Sequence, residues 1–406
     1  MVTSRLINFR RCIIIKFEIR QLFHSTFSFY WAQLKSVFFS ILYYKKKIVP
    51  NKIIFNNFHG KGFGDNPRYI AEELAKLGNF DMVWIVNDDT VEIPPYIRKV
   101  KKNTFKSFYE FSTAKIWIDN VRNTIRPIKK KEQVYLQTWH GSFSLKKIER
   151  EAIDKLDRGY VNFAKYDGKI CNYILADSSI SEEFYKKFFW LSPNTEILRY
   201  GFPRNDIFFQ TIRHKDITKS IKKLFNINED SKVILYAPTF RDDSSIEGYI
   251  LDFERVITSF KQKISSDCVL LVKLHPNVTE MSRFITYNNY IVDATNYPSI
   301  QELTIASDFL ITDYSSAYYD FLMLNKPIFL CALDREKYEI QRGLVKEYDD
   351  LPFPYANSIE QLIDNINSFD INEYRKKVAL YKNKYPIYDT GNASIQVAKF
   401  LKKLID

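Results

Sequence analysis

From about residue 48 onward, short continuous runs of apolar residues alternate with helix-like segments. Runs bounded by turn-forming residues predict buried strands. They cover residues 53–55, 82–86, 115–118, 134–137, 173–176 and 197–200, and then 233–236, 269–273, 290–292, 309–312 and 328–331. Continuous apolar runs separated by helices are typical of parallel sheets covered on both faces. The pattern therefore predicts an α/β protein with two doubly wound domains.

The break between these domains is predicted in the polar, lysine-rich stretch 208–230, which has no strand character. This gives an N-terminal Rossmann-like domain at 48–210 and a C-terminal one at 211–406. Helix-start signals agree with the pattern. Asp65-Asn-Pro-Arg68 offers a cap and a proline for a helix ending near Leu77, and Ser299-Ile-Gln-Glu302 has the form of a capping box.

Residues 1–47 differ from the rest of the chain. Basic side chains alternate with apolar ones up to Arg20, residues 22–44 are rich in aromatics with Lys35 as the one Lys, Arg, Asp or Glu, and residues 45–47 are lysines. The apolar part is too long and too late for a signal peptide, and polar residues interrupt it as a membrane span. We expect a basic amphipathic helical segment that lies on an anionic leaflet; packing on the protein's own surface is the alternative.

The composition indicates a folded, basic protein. Of 406 residues 46% are apolar, and 60 Lys and Arg against 48 Asp and Glu give a net charge of +12. Such an excess indicates an anionic partner, or serves solubility alone. The basic residues do not gather with aromatics into a nucleic-acid-binding module, so no nucleic-acid partner is expected. The four scattered cysteines lack zinc or disulfide spacing, which favours buried thiols in a reducing cytoplasm.

Candidate chemistry lies where predicted strands end. The run from Phe309 to Phe321 has the form of a strand, a polar turn and a helix start, and Ser315 and Ser316 stand where free N–H groups suit a phosphate. His140 and His275 each follow a strand beside Gly or Pro. An imidazole there could accept a proton from a hydroxyl or stabilise a phosphate oxyanion, although a strand-end histidine is often only a structural hydrogen-bonder.

Three further residues of the second half are candidates for the same ligand. Arg241 and Thr239 follow the strand at 233–236 and could hold a phosphate, or Arg241 could form a surface pair with Asp242. Asp313 could serve a hydroxyl or brace its loop.

In the first half, His59 lies in a glycine-rich loop after the first strand. It could contact an acceptor or belong to a simple turn. Arg204 and Asn205 lie in a turn that could contact a ligand or join the domains. The chain has no Walker loop and no dinucleotide fingerprint.

Together these motifs resemble the CDP-glycerol glycerophosphotransferases, a family of teichoic-acid primases and polymerases with relatives that build phosphate-linked capsules. The resemblance covers about residues 50–385. It is carried by Gly62-Phe-Gly-Asp-Asn-Pro67, Gln137-Thr-Trp-His-Gly141, Gly201-Phe-Pro-Arg-Asn-Asp206, Tyr236-Ala-Pro-Thr-Phe-Arg-Asp242, Leu274-His-Pro-Asn277 and Ile311-Thr-Asp-Tyr-Ser-Ser316. Gly141-Ser-Phe-Ser-Leu145 departs from the family's usual Gly-Thr-Pro-Leu, which leaves the acceptor contacts open.

The resemblance implies a GT-B-like fold whose acceptor domain and CDP-donor domain face a cleft, on the cytoplasmic face of the cell membrane. It implies transfer of glycerol phosphate, or a related polyol phosphate such as ribitol phosphate, from a CDP-linked donor to a lipid-linked or growing polymer, with release of CMP. His140 and His275 match the essential histidines. Thr239, Arg241, Ser315 and Ser316 match donor-phosphate positions, and Asp313 lies among them.

We expect His140 to take the acceptor proton and His275 to steady the phosphoryl oxygens. No metal is required by these residues, although a pyrophosphate could recruit Mg²⁺. Two alternatives stay open: a GT-B glycosyltransferase that uses a nucleotide sugar, and a non-catalytic binder of polyanions or membranes.

Overall fold

The computed structural model describes residues 30–123, 126–241, 248–275 and 278–406. Strands within these residues form two sheets. Their bounds are β1 Val49–Asn56, β2 Asp81–Val86, β3 Arg98–Lys101, β4 Ala114–Asp119, β5 Val134–Gln137, β6 Tyr173–Leu175, β7 Glu196–Leu198, β8 Lys232–Tyr236, β9 Cys268–Val272, β10 Ile291–Asp293, β11 Phe309–Thr312, β12 Ile328–Cys331 and β13 Tyr355–Ala356.

Helices separate most of these strands. They are α1 at 30–42, α2 Asp65–Leu77, α3 Phe105–Thr113, α4 Arg158–Ile170, α5 Ser179–Phe188, α6 Thr211–Leu224, α7 Phe253–Ile264, α8 Ile300–Ala306, α9 Ala317–Met323, α10 Arg335–Gln341, α11 Ile359–Asn367, α12 Ile371–Lys384 and α13 Ala393–Lys403. Short 3-10 helices occur at Glu149–Lys155, Pro203–Phe209, Thr279–Phe284 and Lys346–Tyr348.

Both sheets are parallel and doubly wound, which confirms the predicted fold class. The first has the order β3-β2-β1-β4-β5-β6-β7 and the second the order β10-β9-β8-β11-β12-β13. The strand order reverses between β1 and β4 in the first sheet and between β8 and β11 in the second. Ligands of such sheets bind outside the carboxyl ends of the strands at these reversals.

The central strands form where the sequence has continuous apolar runs. In β8, for example, Val233, Ile234 and Leu235 are completely buried, as helices on both faces of a parallel sheet require. Two edge strands were not predicted. In β3 only Val100 is buried, and β13 has two residues, so neither carries an apolar run.

The helix signals hold with one difference. The helix α2 ends at Leu77 as predicted, but its cap position is Gly64, and Asp65 instead accepts a hydrogen bond from the Asn66 backbone N–H at 2.8 Å. The Ser299 hydroxyl accepts from the Glu302 backbone N–H and caps α8, as the motif predicted.

The last helix packs on the first sheet's half of the molecule. In α13, Lys402 donates to the Leu77 carbonyl at the end of α2 at 3.1 Å, and the Phe400 ring lies 4.8 Å from the Tyr173 ring. Asp206 accepts a hydrogen bond from the Ala393 backbone N–H at 2.9 Å. The predicted C-terminal domain included this helix; the boundary near residue 210 itself stays a prediction.

Residues 1–29 of the predicted N-terminal segment lie outside the described residues. Within the segment, α1 docks through Phe39, whose ring stacks on Phe108 at 3.8 Å, while its other side exposes Trp31, Leu34 and Ile41. Over the described ranges, no helix is both long and apolar enough to cross a membrane.

Candidate active site

His140 lies in the loop that follows β5. Its Nδ1 is 2.6 Å from the backbone carbonyl oxygen of Asn120, at the end of β4. A carbonyl only accepts, so Nδ1 carries the proton and Nε2 keeps its lone pair, which is the tautomer that a general base needs. Burial lowers the pKa of His140, and the bond to Asn120 opposes this effect only in part. The imidazole is therefore neutral near pH 7.

Arg204 and Asn66 hold the loop of His140 through its backbone. Arg204 Nη1 donates to the His140 carbonyl at 2.9 Å, and Asn66 Nδ2 donates to the Trp139 carbonyl at 3.0 Å. Arg204 Nη2 also lies 3.7 Å from Asp320 Oδ1 on α9. Arg204 thus joins the histidine loop to a helix of the other sheet.

Arg204 and Asn205 were predicted as acceptor contacts, and neither presents an open side chain. Arg204 is 8% exposed and Asn205 is fully buried. Asn205 Nδ2 donates to Asp389 at 3.3 Å. This geometry favours the alternative of a turn that joins the two halves of the molecule, and acceptor binding by these two residues stays a prediction without support here.

His275 follows β9 and lies against the aromatic ring of Phe240, with 4.6 Å between ring centres. Burial lowers its pKa to about 4, with further contributions from the charges of Lys146, Lys273 and His140. The two imidazoles therefore lie within electrostatic range of each other. They belong to loops that follow strands of different sheets, and their convergence on one cleft stays a prediction.

The serine turn packs against the loop of His140. A Cβ built on Gly141 would lie 3.5 Å from Ser316 Oγ, so the residue after His140 packs on the turn before α9. Nearby the two halves pair through backbone, since Lys147 N–H donates to the Gly343 carbonyl at 3.0 Å and Val345 N–H to the Leu145 carbonyl at 3.1 Å.

At the turn itself, Ser315 Oγ accepts from the Ala317 backbone N–H at 3.2 Å, and Ser316 makes no capping bond through its side chain. Thr239, predicted as a third donor-phosphate residue, has a buried hydroxyl with no hydrogen-bond partner. Donor-phosphate binding by Ser316 and Thr239 stays a prediction.

Arg241 is 3% exposed and is held between two carboxylates. Its Nη2 donates to Asp313 at 2.8 Å, and its Nε donates to Asp334 at 2.6 Å. To bind a phosphate, the guanidinium would have to leave one of these partners, so its role as a direct ligand stays a prediction. The alternative pairing named Asp242, which lies outside the described residues.

Asp313 braces its loop, one of the two roles predicted for it. Its Oδ1 accepts from the backbone N–H groups of Thr239 and Tyr314 at 2.7 and 2.6 Å. Together with Arg241 it joins the ends of β8 and β11, which flank the reversal of the second sheet.

His59 lies at the edge of the site in the loop after β1. Its backbone is left-handed, with φ +59°, and it borders a cavity of about 410 Å³. The preceding residue, Phe58, places its ring 5.4 Å from that of His140. Within the described ranges, no group of three or more His, Cys, Asp and Glu side chains could hold a metal ion.

Several supporting residues were not predicted as such: Asn66, Asn120, Lys146, Asp320 and Asp334. Two of them could have been recognised from the sequence. Asn66 lies in the motif Gly62-Phe-Gly-Asp-Asn-Pro67, and Asn120 directly follows the buried strand β4. Asp320 and Asp334 gave no sign of their pairing, since they are 116 and 93 positions from Arg204 and Arg241 in the sequence.

Two parallel, doubly wound sheets, with a candidate histidine after a strand of each and the serine turn packed beside the loop of His140, define a GT-B-like fold. The solved structure of the wall teichoic acid polymerase TagF is similar, with a TM-score of 0.78 and 28% identity over 95% of this chain and 98% of that one. A TagF variant that was soaked with CDPG for 15 minutes gives the same TM-score at 27% identity, with the same coverage of both chains.

Residues 37–403 match the family model of CDP-glycerol:poly(glycerophosphate) glycerophosphotransferases, and the chain belongs to this family. It is 30% identical to a teichoic acid poly(glycerol phosphate) polymerase of Staphylococcus epidermidis over 88% of this chain, but spans 51% of that protein. It is 31% identical to a teichoic acid glycerol-phosphate transferase of Staphylococcus aureus, over 87% of this chain and 94% of the relative.

Proposed function

We propose that this protein transfers glycerol phosphate, or a related polyol phosphate, from a CDP-linked donor to a hydroxyl of a growing cell-surface polymer and releases CMP. Membership in the glycerophosphotransferase family supports the reaction class. One observation supports the proposal at the level of atoms: the bond from His140 Nδ1 to the Asn120 carbonyl leaves Nε2 as the ring nitrogen with a lone pair, and the next residue, Gly141, packs beside Ser316.

In the proposed step, Nε2 of His140 accepts the proton of the acceptor hydroxyl while the oxygen attacks the β-phosphorus of the donor. The bond from that phosphorus to the bridging oxygen breaks, and its electron pair leaves with CMP. This transfer depends mainly on positioning and on fixed charge, both of which a closed cleft supplies. The hydroxyls of Thr239 and Ser316 donate to the diphosphate, and Arg241 positions this loop through Asp313.

His275 enters the reaction as a neutral imidazole, because the pKa of about 4 leaves it unprotonated in the free enzyme. In that form it donates one N–H to a phosphoryl oxygen. Lys146 and Lys273, whose charges help to lower this pKa, provide positive potential for the diphosphate. A bound anion offsets their effect, so donor binding raises the pKa of His275.

We further propose that the protein works on the cytoplasmic face of the membrane, with α1 and the adjoining lysines on an anionic leaflet. Trp31, Leu34, Phe38 and Ile41 recur at helical spacing and are 52%, 62%, 57% and 72% exposed. Three lysines follow at 45–47. An apolar face next to cationic side chains is the pattern of helices that lie in a lipid interface.

A donor panel tests the reaction. The purified protein is incubated with CDP-glycerol, CDP-ribitol or UDP-sugars and a lipid-linked acceptor, and the released nucleotide is measured. We expect CMP from a CDP-polyol, and UDP release alone would favour the glycosyltransferase alternative and refute the proposal. The proposed step needs no resident metal, so turnover should persist in EDTA; its loss, with recovery on adding Mg²⁺, would overturn that part.

A further inference from the structure

A polar cavity of about 410 Å³ opens beside His59, at the carboxyl ends of β1 and β2. Its lining includes Asn56, Lys61, Asn87 and Lys102, and none of the described residues that line it is Asp or Glu. A cavity this size holds a small ligand. Two lysines with no carboxylate among the described lining residues give the cavity a positive charge, which favours an anionic ligand.

The cavity is preformed. Lys102 Nζ donates to the His59 carbonyl at 3.2 Å, which fixes the ammonium at the rim. Gly60 has φ +93°, and a Cβ there would lie 2.8 Å from the Asn87 backbone nitrogen, so the loop lies directly on the end of β2. The buried Asn87 Oδ1 has no hydrogen-bond partner. A ligand hydroxyl could donate to it.

The cavity is also joined to the catalytic loop. Asn120 Nδ2 donates to Asn57 Oδ1 at 2.8 Å, and Phe58 N–H donates to Asn120 Oδ1 at 2.9 Å. The carbonyl of the same Asn120 orients His140. The charge of His140 also lowers the pKa of His59, after the larger effects of burial, Lys102 and Lys61. The loop that borders the cavity is therefore hydrogen-bonded to the same residue that orients the proposed base.

We propose that this cavity binds a phosphodiester of the acceptor polymer, one repeat away from the attacking hydroxyl. The proposal rests on the proposed function, because a polyol-phosphate polymer carries a phosphodiester a few carbon atoms from its terminal hydroxyl. Lys61 and Lys102 pair with its negative charge, and a hydroxyl of the polyol donates to Asn87. By recognising that charge, the cavity would let the enzyme distinguish the end of the polymer from a neutral alcohol.

A binding measurement tests the proposed anion site independently of turnover. Bis-glycerol phosphodiester is titrated into the full-length protein, and the phosphorus NMR signal is followed. We expect saturable binding that weakens about tenfold in Lys102→Ala, the order expected for losing a hydrogen bond to a charged group. Lys101→Ala is the matched control, because it removes the same charge from the neighbouring position, the last residue of β3, which does not line the cavity. An equal loss in both variants, or none in either, overturns the proposal.

Kinetics supply the second arm. With a phosphodiester-bearing acceptor, Lys61→Ala and Lys102→Ala should raise KM about tenfold at nearly constant kcat, and Lys102→Arg should restore much of the loss. With a neutral alcohol acceptor, both variants should match the unaltered protein. An unchanged KM for the charged acceptor overturns the cavity's role. Absence of CMP release by the unaltered protein overturns the proposed function instead, while the binding measurement still decides whether the cavity takes the anion.

Discussion

Replacing Arg204 with Ala should damage both stability and catalysis, because this buried cation joins the two halves of the site. The change removes the hydrogen bond to the His140 carbonyl and leaves Asp65 and Asp320 without their cation. Removing one partner of a buried ion pair costs about 3–5 kcal/mol. A loop freed from this anchor misplaces the base, and misplacement by about 1 Å lowers kcat on the order of a hundredfold.

The pH dependence of the loss tests this reasoning. Burial already raises the pKa of Asp320 to about 6, and Arg204 is the main group that opposes the rise. A carboxyl with a raised pKa in the folded state destabilises the protein increasingly as pH rises from its unfolded pKa through the folded one. Without Arg204 the pKa rises further, so the difference in unfolding free energy from the unaltered protein should be larger at pH 7.5 than at pH 5.

Urea unfolding at the two pH values measures this difference, and CMP release measures the effect on kcat. Arg255→Ala is the control, since Arg255 and its partner Glu360 are both exposed, at 51% and 69%, and surface ion pairs contribute little. Adding Asp320→Asn to Arg204→Ala should recover part of the stability. A stability loss that is equal at both pH values, or kcat unchanged in Arg204→Ala, would refute the role assigned to this residue.

Three further predictions concern the histidines and α1. His140→Ala should lower kcat about a hundredfold or more, the usual effect of losing an acid–base group, with the affinity for the CDP donor unchanged by calorimetry; an active variant contradicts the role of His140 as base. The NMR titration of His275 should give a pKa near 4 in the free protein and a higher value with CDP-glycerol bound, whereas a value unaffected by the donor would place His275 outside the phosphate site. Leu34→Glu and Ile41→Glu should each release the protein from anionic vesicles without changing Tm, because both side chains are largely exposed. Leu380→Glu, the control at a similarly exposed leucine on α12, should leave the protein bound to the vesicles. Retention of all three variants would contradict the membrane role of α1.

The fold was predictable wherever burial on both faces of a strand left a continuous apolar run. The interior strands β1, β4, β8 and β11 all have this signature, and each was predicted within a few residues. The edge strand β3 pairs on one side only, and three of its four residues are basic and exposed. Edge strands tolerate such side chains because they need no second apolar face, and a short basic segment resembles a loop in the sequence.

The site was predictable to the extent that its residues directly follow strands. His140, His275 and Ser316 could be selected as candidates because parallel sheets bring the carboxyl ends of their strands to one edge. The sequence could not predict whether Arg204 and Arg241 are open to a ligand or paired with buried carboxylates, since an arginine looks the same in a sequence in either case. That distinction depends on Asp320 and Asp334, which only the folded chain brings near.

The two enclosed arginines explain how the cleft keeps its geometry with one histidine on each sheet. Arg241 fixes the proposed donor side, since Asp313 ties the end of β8 to the serine turn before α9. Arg204 fixes the proposed acceptor side and reaches α9 through Asp320. Both networks thus end on the segment that begins with Ser315 and Ser316. Displacement of that segment would shift the donor cradle and the base together, so the site depends on the contact between the two halves as much as on either histidine.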